Sequence, residues 1–261
     1  MSVKKTKIIS IANQKGGVAK TTTAVNLSTA LAVAGMNVLL IDLDPQGNAS
    51  TGLGLELHKR HSTIYDVFTN NVNINDSIFS TQVNKLDMIP SNIDLSAAEI
   101  ELLDIHNKEY ILSQSLEKLV KSYDYILIDC PPSLGQLTIN ALTCSNAILV
   151  PMQCEFYALE GLSYLLKSID LVQKQLNPEL KILGILLSMY DKRNKITEEV
   201  EKDVRNYLEN IVFDTVIPRN VRITEAPSFG MPVILYDPKC QGSKAYHDAA
   251  KEVILRSNEI F

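Results

Sequence analysis

The chain has 261 residues, of which 46% are hydrophobic and 21% charged, and its formal net charge is −5 at pH 7. This composition is typical of a globular protein, and it excludes a low-complexity chain or a repeat of fixed period. A net negative charge argues against wholesale electrostatic binding to nucleic acid. The acidic excess lies entirely in residues 1–180, because residues 181–261 carry equal numbers of basic and acidic side chains. A local basic surface is therefore compatible with the sequence.

The cysteines and the first residues of the chain point to a cytoplasmic protein. The four cysteines lack the C-x-x-C spacing of metal sites and lie mostly in apolar segments, which favours core thiols. They are Cys130, Cys144, Cys154 and Cys240. The polar first residues lead directly into a predicted strand, and no apolar run reaches 18 residues. We therefore predict neither a signal peptide nor a membrane span.

A phosphate-binding loop is predicted between a strand at residues 8–12 and a helix that starts at Thr21. The loop consists of Lys15, Gly16, Gly17, Val18, Ala19, Lys20, Thr21 and Thr22. Its adjacent glycines allow backbone N–H groups to face a polyanion, Lys20 supplies positive charge, and Thr21 supplies a hydroxyl for magnesium. Apolar residues at helical spacing follow as far as Gly35, so bound phosphate would lie at a helix N-terminus.

The spacing of the loop departs from the ordinary G-x-x-x-x-G-K-[ST] pattern, because Gln14 and Ala19 occupy the two glycine positions. A second lysine, Lys15, precedes the glycine pair instead. The pattern K-G-G-x-x-K-[ST]-[ST] resembles the deviant phosphate-binding loop of the ParA/MinD family of ATPases. The resemblance implies that Lys15 reaches across a dimer interface to phosphates bound by the partner subunit; the alternative is a chance lysine. Ala19 departs from the family, and a positive φ there would strain the loop by roughly 1 kcal/mol or more and weaken nucleotide binding.

Two carboxylates follow the second predicted strand at residues 37–41, namely Asp42 and Asp44. At the carboxyl edge of a buried parallel sheet, such charges lie beside the phosphate loop and require a metal ion, water or a partner. The alternative is that both side chains only cap the following turn. The pattern D-x-D-P-Q is similar to the second motif of the ParA/MinD family. The resemblance implies that Asp44 positions the attacking water and that Asp42 helps to order magnesium and water.

A third carboxylate, Asp129, ends an apolar strand predicted at residues 125–128. P-loop ATPases use such an aspartate to hold magnesium opposite the threonine of the loop. The continuation D-x-P-P-S resembles the third motif of the same family, so Thr21 and Asp129 are the predicted metal residues, with Asp42 nearby. The remaining predicted elements are strands at 86–89, 148–152 and 182–187 and helices at 95–103, 110–120, 137–142, 158–176 and about 197–210.

Basic residues in the last third of the chain are candidates for DNA contact. The loop at 188–195 concentrates positive charge, and ParA relatives use a basic residue here to bind DNA without sequence preference; Arg193 is the best match and Lys195 lies beside it. The segment I-P-R-N-V-R-x-x-E-A-P-S resembles the Soj type of ParA and implies that Pro218 and Asn220 lie near the adenine base. The other candidate DNA contacts are Arg219, Arg222, Lys239 and Lys244. All these basic residues are alternatively plain surface charges.

The resemblance extends over most of the chain and implies a doubly wound, mostly parallel α/β sheet. We expect residues 1–261 to form a single P-loop ATPase domain without a separate N-terminal helix-turn-helix domain. The implied function is a partitioning ATPase with ATP, ADP and Mg²⁺ as ligands. Its ATP-bound homodimer would bind DNA non-specifically, associating with the nucleoid, until a ParB-type centromere-binding partner stimulates hydrolysis.

Three other classes are possible on sequence grounds. A MinD-like membrane-surface switch requires a C-terminal amphipathic helix with a basic polar face, whereas residues 251–261 are of mixed charge. An iron-protein type of cluster carrier requires paired cysteines at a dimer interface, and Cys130 directly follows Asp129. A transcriptional autorepressor would require room for a DNA-binding domain before the loop, which starts within the first 15 residues.

Overall fold

A central parallel sheet organises the fold. The computed structural model describes residues 6–69, 72–155, 158–208 and 210–261. The strands are β1 (Lys7–Ile11), β2 (Val38–Asp42), β3 (Phe79–Ser80), β4 (Leu86–Ile89), β5 (Tyr125–Asp129), β6 (Ala147–Gln153) and β7 (Lys181–Ser188). They pair in the order β3-β4-β2-β5-β1-β6-β7. Each adjacent pair is parallel except β3 and β4, which are antiparallel. The predicted doubly wound, mostly parallel sheet is confirmed.

Helices cover both faces of this sheet. The helices are α1 (Lys20–Val33), α2 (Asn48–Gly52), α3 (Ile64–Thr69), α4 (Leu95–Glu101), α5 (Ile111–Leu116), α6 (Gln136–Cys144), α7 (Ala158–Gln175), α8 (Lys195–Tyr207), α9 (Val221–Glu225), α10 (Val233–Tyr236) and α11 (Gln241–Ile260). Short 3-10 turns lie at Leu57–Lys59, Ile74–Ser77, Lys108–Tyr110 and Ala226–Phe229. One apolar core lies between the sheet and α1 with α11, and the second lies on the face covered by α4 to α7.

The central strands are apolar along their whole length because both of their faces are covered. Every residue of β2 and of β5 is buried. The carboxyl ends of β1, β2 and β5 meet at one edge, where Asp129 is in register with Ile11 on one side and with Asp42 on the other. Parallel sheets of this kind bind ligands at that edge. The topology therefore brings together the ends of the three strands that precede the predicted site residues.

The long periodic elements agree with the sequence, whereas several short ones differ at their ends. Gly35 follows Ala34, the C-cap of α1, and its φ of 97° permits the left-handed turn that ends the helix. The pattern at 110–120 forms a helix only up to Leu116. Conversely, α8 begins at Lys195 rather than 197, because the Asn194 side chain caps it by accepting a hydrogen bond from the Ile196 N–H. Residue 209, inside that predicted helix, lies outside the described residues.

Candidate nucleotide-binding site

The phosphate-binding loop connects β1 to α1 and has the geometry that its glycines predict. Gly17 has φ 74°, and a Cβ at Gly16 or Gly17 would meet no heavy atom within 4 Å, so the surface over this pair is open. The loop is fixed from below by the buried Ser188 hydroxyl at the end of β7, which donates to the Val18 carbonyl oxygen at 2.9 Å. The loop thus presents its backbone to an open space while its underside is held by the sheet.

Ala19 has the positive φ that the sequence left conditional. It is the residue before α1, with φ 67° and ψ 32°, and its carbonyl oxygen accepts the helical hydrogen bond from the Thr23 N–H at 2.9 Å. Left-handed backbone favours glycine over any residue with a Cβ. The loop consequently carries backbone strain at the position where the ordinary G-x-x-x-x-G-K-[ST] pattern has glycine.

Lys20 is the buried cation of the site. Its side chain is only 7% exposed, and Nζ donates to the Lys15 carbonyl oxygen at 3.1 Å, across the loop. Burial lowers the pKa of Lys20, while the nearby Asp129 and Asp44 carboxylates act in the opposite direction. An ammonium group in this position offers positive charge to a phosphate bound on the loop.

Lys15 lies on the outer side of the same loop, separate from Lys20. Its ammonium forms an ion pair with Glu155, which follows β6, and both side chains are nearly half exposed. Asn13 holds the start of the loop, because its Nδ2 donates to the Pro151 carbonyl oxygen at 2.8 Å and its Oδ1 accepts from the Lys15 N–H at 3.0 Å. The two lysines are therefore in different environments, one buried and one available at the surface once Glu155 releases it.

The carboxylate of Asp42 is fully engaged in hydrogen bonds within the chain. Its Oδ2 accepts from the Ser50 N–H at 2.8 Å and from the Ser50 hydroxyl at 2.6 Å, and its Oδ1 accepts from the Asp44 N–H at 3.3 Å. Burial raises the pKa of Asp42 to about 6, and the Ser50 hydrogen bonds oppose that rise. These contacts agree with the capping alternative for Asp42, while its metal-ordering role stays a prediction.

Asp44 lies at the start of the turn that leads into α2. Its side chain is 9% exposed. One carboxylate oxygen, Oδ1, accepts from the Gln46 N–H at 3.0 Å. The Asp44 carbonyl oxygen accepts from the Gly47 N–H at 2.9 Å, which closes the turn. Turn capping therefore occupies one oxygen of Asp44 and leaves the other to accept a hydrogen bond from water.

Asp129 differs from its neighbours because it lacks compensation. It is 0% exposed, and within the described residues neither carboxylate oxygen has a hydrogen-bond donor. Burial raises the pKa of Asp129 well above its usual value, and Asp42 and Asp44 add to the rise, whereas the Thr21 hydroxyl and the Lys20 ammonium oppose it. A buried carboxylate without a partner is costly. A cation beside Asp129 and Thr21 would remove that cost, so these two residues fit a magnesium ion.

The other ligands of such an ion would have to come from the nucleotide and from water. No group of three or more His, Cys, Asp or Glu side chains in the described part of the chain is arranged to hold a metal ion. Magnesium usually keeps several waters and is bound through one or two protein oxygens together with substrate phosphates. The donor set of one hydroxyl and one carboxylate is of this kind.

A cavity of about 300 Å³ lies beside the loop, at the point where the chain after β7 returns to the sheet. It contains both residues predicted to lie near the base, Pro218 and Asn220, and it reaches Ala19 and Thr22 of the loop. Asn220 also caps α9, because its Oδ1 accepts from the Arg222 N–H at 2.9 Å. The remaining lining residues are Met189, Ile217, Arg219, Val221, Ile223, Thr224 and Tyr246. A mostly apolar pocket next to a phosphate loop has the form of a nucleoside site.

The candidate DNA contacts are all exposed, but several are already paired with acids. Arg193 donates two hydrogen bonds to the Asp191 carboxylate, at 2.9 and 2.7 Å. Arg222 pairs with Glu225 at 2.8 Å. The other four candidates form no ion pair within 4 Å among the residues the structure describes, namely Lys195, Arg219, Lys239 and Lys244. Their role in contacting DNA stays a prediction.

Sequence reasoning missed four residues that support the site: Asn13, Ser50, Arg60 and Glu155. Asn13 was the easiest of these to predict, since it lies just before the loop in the sequence. Glu155 acts on Lys15, which is distant in the sequence, and no local pattern indicates that contact. Ser50 and Arg60 act on residues nearer in the chain, but only because α2 folds back on the end of β2. Taken together, the loop, the buried lysine and the strand-end aspartates define a nucleotide-binding protein of the P-loop class.

Comparison with known proteins assigns the family. A family model described as an AAA domain matches residues 6–182. The chain is 53% identical over 261 residues to the chromosome partitioning protein ParA of Caulobacter vibrioides, covering 99% of this chain and 98% of that protein. It is also 53% identical over 247 residues to the sporulation initiation inhibitor protein Soj of Bacillus subtilis, covering 95% of this chain and 98% of Soj. The chain belongs to the ParA/Soj family of chromosome-partitioning proteins.

Solved structures agree with the fold and the class of ligand. Cobyrinic acid a,c-diamide synthase from Mycobacterium smegmatis, with a bound ATP analogue and magnesium, is 38% identical, with a TM-score of 0.85 over 98% of this chain and 96% of that chain. MinD from Pyrococcus horikoshii, in complex with Mg-ADP, is 28% identical, with a TM-score of 0.79 over 98% of this chain and 99% of that chain. Among the helices described here, none is long and apolar enough to cross a membrane.

Proposed function

We propose that the chain binds Mg-ATP and hydrolyses it to ADP and phosphate. The observation that carries the proposal is that a buried lysine on the loop, Lys20, lies near the buried carboxylate of Asp129 at the adjacent strand end, whose oxygens accept no hydrogen bond within the described residues. Backbone N–H groups of the loop and the Lys20 ammonium hold the β- and γ-phosphates, and the base occupies the cavity beside Pro218 and Asn220. The relatives with bound ATP analogue, ADP and magnesium support this assignment.

The residues around the γ-phosphate have separate tasks. Thr21 and Asp129 hold magnesium, and Asp42, anchored on Ser50, keeps the adjoining strand end in place. When bound, magnesium neutralises charge on the phosphate oxygens as it develops. Asp44 orients the attacking water through the carboxylate oxygen that the Gln46 N–H leaves available. Charge stabilisation by groups fixed in advance is the main contribution expected of such a site.

Lys15 makes the proposed reaction depend on a dimer. Its side chain is nearly half exposed at the outer face of the loop, so it can reach a second copy of the chain that faces this edge of the sheet. Lys15 of one subunit would then stabilise charge on the phosphates bound by the other. Because the site is complete only in the dimer, hydrolysis would also end the dimer, and the rate of hydrolysis would set the lifetime of the dimer.

Membership of the ParA/Soj family suggests what the ATP-bound dimer does during its lifetime. We propose that the ATP-bound dimer binds DNA without sequence preference and is released when a ParB-type centromere-binding partner stimulates hydrolysis. The exposed, unpaired Lys195, Lys239 and Lys244 support a phosphate-binding surface of this kind. The protein would be cytoplasmic and would associate with the nucleoid while ATP is bound. Residues 1–261 would act as one ATPase domain, because α11 packs on α1 and completes one of the two cores.

The test combines nucleotide, mass and DNA measurements on one variant. Asp44→Ala should bind ATP but not hydrolyse it, so its mass in solution should double with Mg-ATP and its retention on DNA should require ATP. Lys20→Ala should remain monomeric under the same conditions because it loses the phosphate contact. Hydrolysis by Asp44→Ala at the wild-type rate would contradict the role given to Asp44. A monomer that binds DNA equally well without ATP would contradict the switch.

The DNA surface needs its own control. Arg193→Glu should lose DNA retention while keeping ATP-dependent dimerisation, because it reverses a charge on the proposed surface. Lys174→Glu is the matched control. Lys174 is an exposed cation in an ion pair with Asp170 on α7, away from the loop at 188–195 that carries Arg193. DNA binding should also weaken steeply with salt. Equal losses in the two variants would argue for a general charge effect rather than a surface at Arg193.

The packing of the last helix argues against a MinD-like membrane switch. The apolar side of α11 is already buried in the core with α1, including Tyr246, Ala249, Ala250 and Val253. A helix that uses this side for the core has no apolar face left for a lipid surface. Vesicles of anionic phospholipid should therefore fail to pellet the protein with Mg-ATP, and clear pelleting would replace the DNA proposal with the membrane one.

A further inference from the structure

The guanidinium of Arg60 bridges two strand exits next to the proposed catalytic edge. Its Nε and Nη2 donate to the Leu55 carbonyl oxygen at 3.0 and 2.9 Å. Nη1 donates to the Ser91 carbonyl oxygen at 2.9 Å, and Nη2 also donates to the Thr51 hydroxyl at 2.8 Å. One side chain thus links α2 and the chain just after it to the residues that follow β4.

Arg60 also packs directly on the turn that begins at Asp44. Gly47 closes that turn and has φ 63°, and a Cβ placed on it would lie 2.4 Å from Arg60 Nη1. The Thr51 hydroxyl, which accepts from Arg60, donates in turn to the Gly47 carbonyl oxygen at 3.2 Å. The guanidinium therefore lies against Gly47, the last residue of the turn that begins at Asp44, and it holds Thr51 of the helix that follows.

The same group is connected to the buried end of β2. The Ser91 N–H donates to the Ser50 hydroxyl at 3.1 Å, and that hydroxyl donates to Asp42 at 2.6 Å. Ser91 is thereby held on both of its backbone groups, by Ser50 and by Arg60. The exit of β4, α2 and the exit of β2 form one hydrogen-bonded unit, and Arg60 is its outermost member.

This unit needs an external clamp because α2 is too short to hold its own orientation. It has only five residues, and its N-cap Gly47 offers no side-chain hydrogen bond. Helices of this length are unstable without tertiary contacts. The direction of the turn from Asp44 to Gly47 is consequently set by the groups that hold α2 from outside. The planar fork of Arg60 supplies four hydrogen bonds to this unit, one to Thr51 of α2, two to Leu55 just after α2 and one to Ser91 after β4.

We propose that Arg60 is a positioning residue for Asp44, an inference that rests on the proposed ATP hydrolysis. Arg60 holds α2 and the Asp44 turn against the sheet, so that the Asp44 carboxylate faces the water that attacks the γ-phosphate. It does not contact the phosphates, which are held by the loop on the other side of β2. Its loss should therefore lower kcat and leave nucleotide affinity nearly unchanged.

The first test replaces Arg60 by lysine, which keeps the positive charge and removes the planar fork. Arg60→Lys should lower kcat for ATP about tenfold or more, because small misplacements of a catalytic group have large effects on rate. Its Kd for a fluorescent ATP analogue with magnesium should stay within about twofold of wild type. An unchanged kcat would overturn the proposal, and so would an equal loss of nucleotide binding.

Arg256 provides the matched control. It also donates to backbone carbonyl oxygens, those of Leu183, Asn210 and Val212, but at the amino end of β7, away from the loop. Arg256→Lys should lower the melting temperature and keep the wild-type kcat in the folded protein. If Arg60→Lys and Arg256→Lys lower kcat equally at a temperature where both are folded, Arg60 is merely structural and the proposal is wrong.

A double-mutant cycle separates positioning from general stability. In single-turnover assays long enough to follow the slow residual hydrolysis of Asp44→Asn, Arg60→Lys should cause no further loss in that background, because its effect acts through the Asp44 carboxylate. The same fractional loss in both backgrounds would refute the proposal. If the wild-type protein itself fails to hydrolyse ATP, the proposed function fails instead, so the two failures are distinguishable.

Discussion

Replacing Ala19 by glycine is expected to stabilise the protein, because Ala19 has a backbone conformation that its own methyl group disfavours. Its φ of 67° and ψ of 32° lie in the left-handed region. A residue with a Cβ costs about 1–2 kcal/mol in that region. Replacement by glycine removes this cost but adds a smaller one, because glycine has more conformational freedom in the unfolded chain and loses about 0.4–1 kcal/mol more on folding. The free energy of unfolding should therefore rise by about 0.5–1 kcal/mol.

Urea unfolding without nucleotide measures this difference, and two other variants calibrate it. Asn107 also has a positive φ, of 57°, but asparagine tolerates the left-handed region, so Asn107→Gly should change stability little. Ala19→Val should destabilise the protein, because a β-branched side chain is least compatible with positive φ. The affinity of Ala19→Gly for Mg-ATP should rise by no more than a few fold, since every backbone donor of the loop is retained.

The ranking of the three variants by their free energy of unfolding tests whether Ala19 is strained. If Ala19→Gly is no more stable than the wild-type protein, and Asn107→Gly is at least as stable as Ala19→Gly, the strain assigned to Ala19 does not exist. A stable Ala19→Val would contradict the left-handed conformation itself. Either outcome would remove the physical reason for treating this position as a weakness of the loop.

Three further predictions follow from the charges of the site. Glu155→Gln should release Lys15 and speed ATP-dependent hydrolysis up to about fivefold, since a half-exposed ion pair contributes roughly 1 kcal/mol or less; an unchanged or slower single-turnover rate would count against this. Asp129→Asn should raise the free energy of unfolding without magnesium by about 1–3 kcal/mol, because it removes a buried, unpaired charge, and should abolish hydrolysis; a lower urea midpoint would contradict it. Burial raises the pKa of Asp42 from its ordinary value of 3.8 to about 6. The protonated carboxyl therefore stabilises the folded protein fully below pH 3.8, and this stabilisation is lost as the pH rises through 6. The free energy of unfolding relative to Asp42→Asn should thus fall by on the order of 2–3 kcal/mol between pH 4 and pH 7, whereas a difference independent of pH would refute the burial argument.

Residues close together in the chain could be read correctly from the sequence. A buried strand, two glycines, a lysine and a helix are consecutive, so their order alone predicted the loop at 15–22 and the start of α1. Apolar runs ending in Asp42 and in Asp129 were recognisable for the same reason, because strands buried on both faces have no polar alternation. The ends of short helices such as α5 were less predictable, since tertiary contacts decide where a marginal helix stops.

The fold class, the phosphate loop and the identity of the strand-end acids were thus determined by local patterns in the sequence. Only the tertiary structure decided which acid is satisfied, because Asp42 receives its donors from α2, whereas Asp129 has no hydrogen-bond donor among the residues the structure describes. It likewise paired Lys15 with Glu155, set Arg60 against the Asp44 turn, and brought Pro218 beside Ala19, about two hundred residues away in the chain. Contacts between distant segments depend on three-dimensional packing, and a linear pattern of residue types does not contain that information.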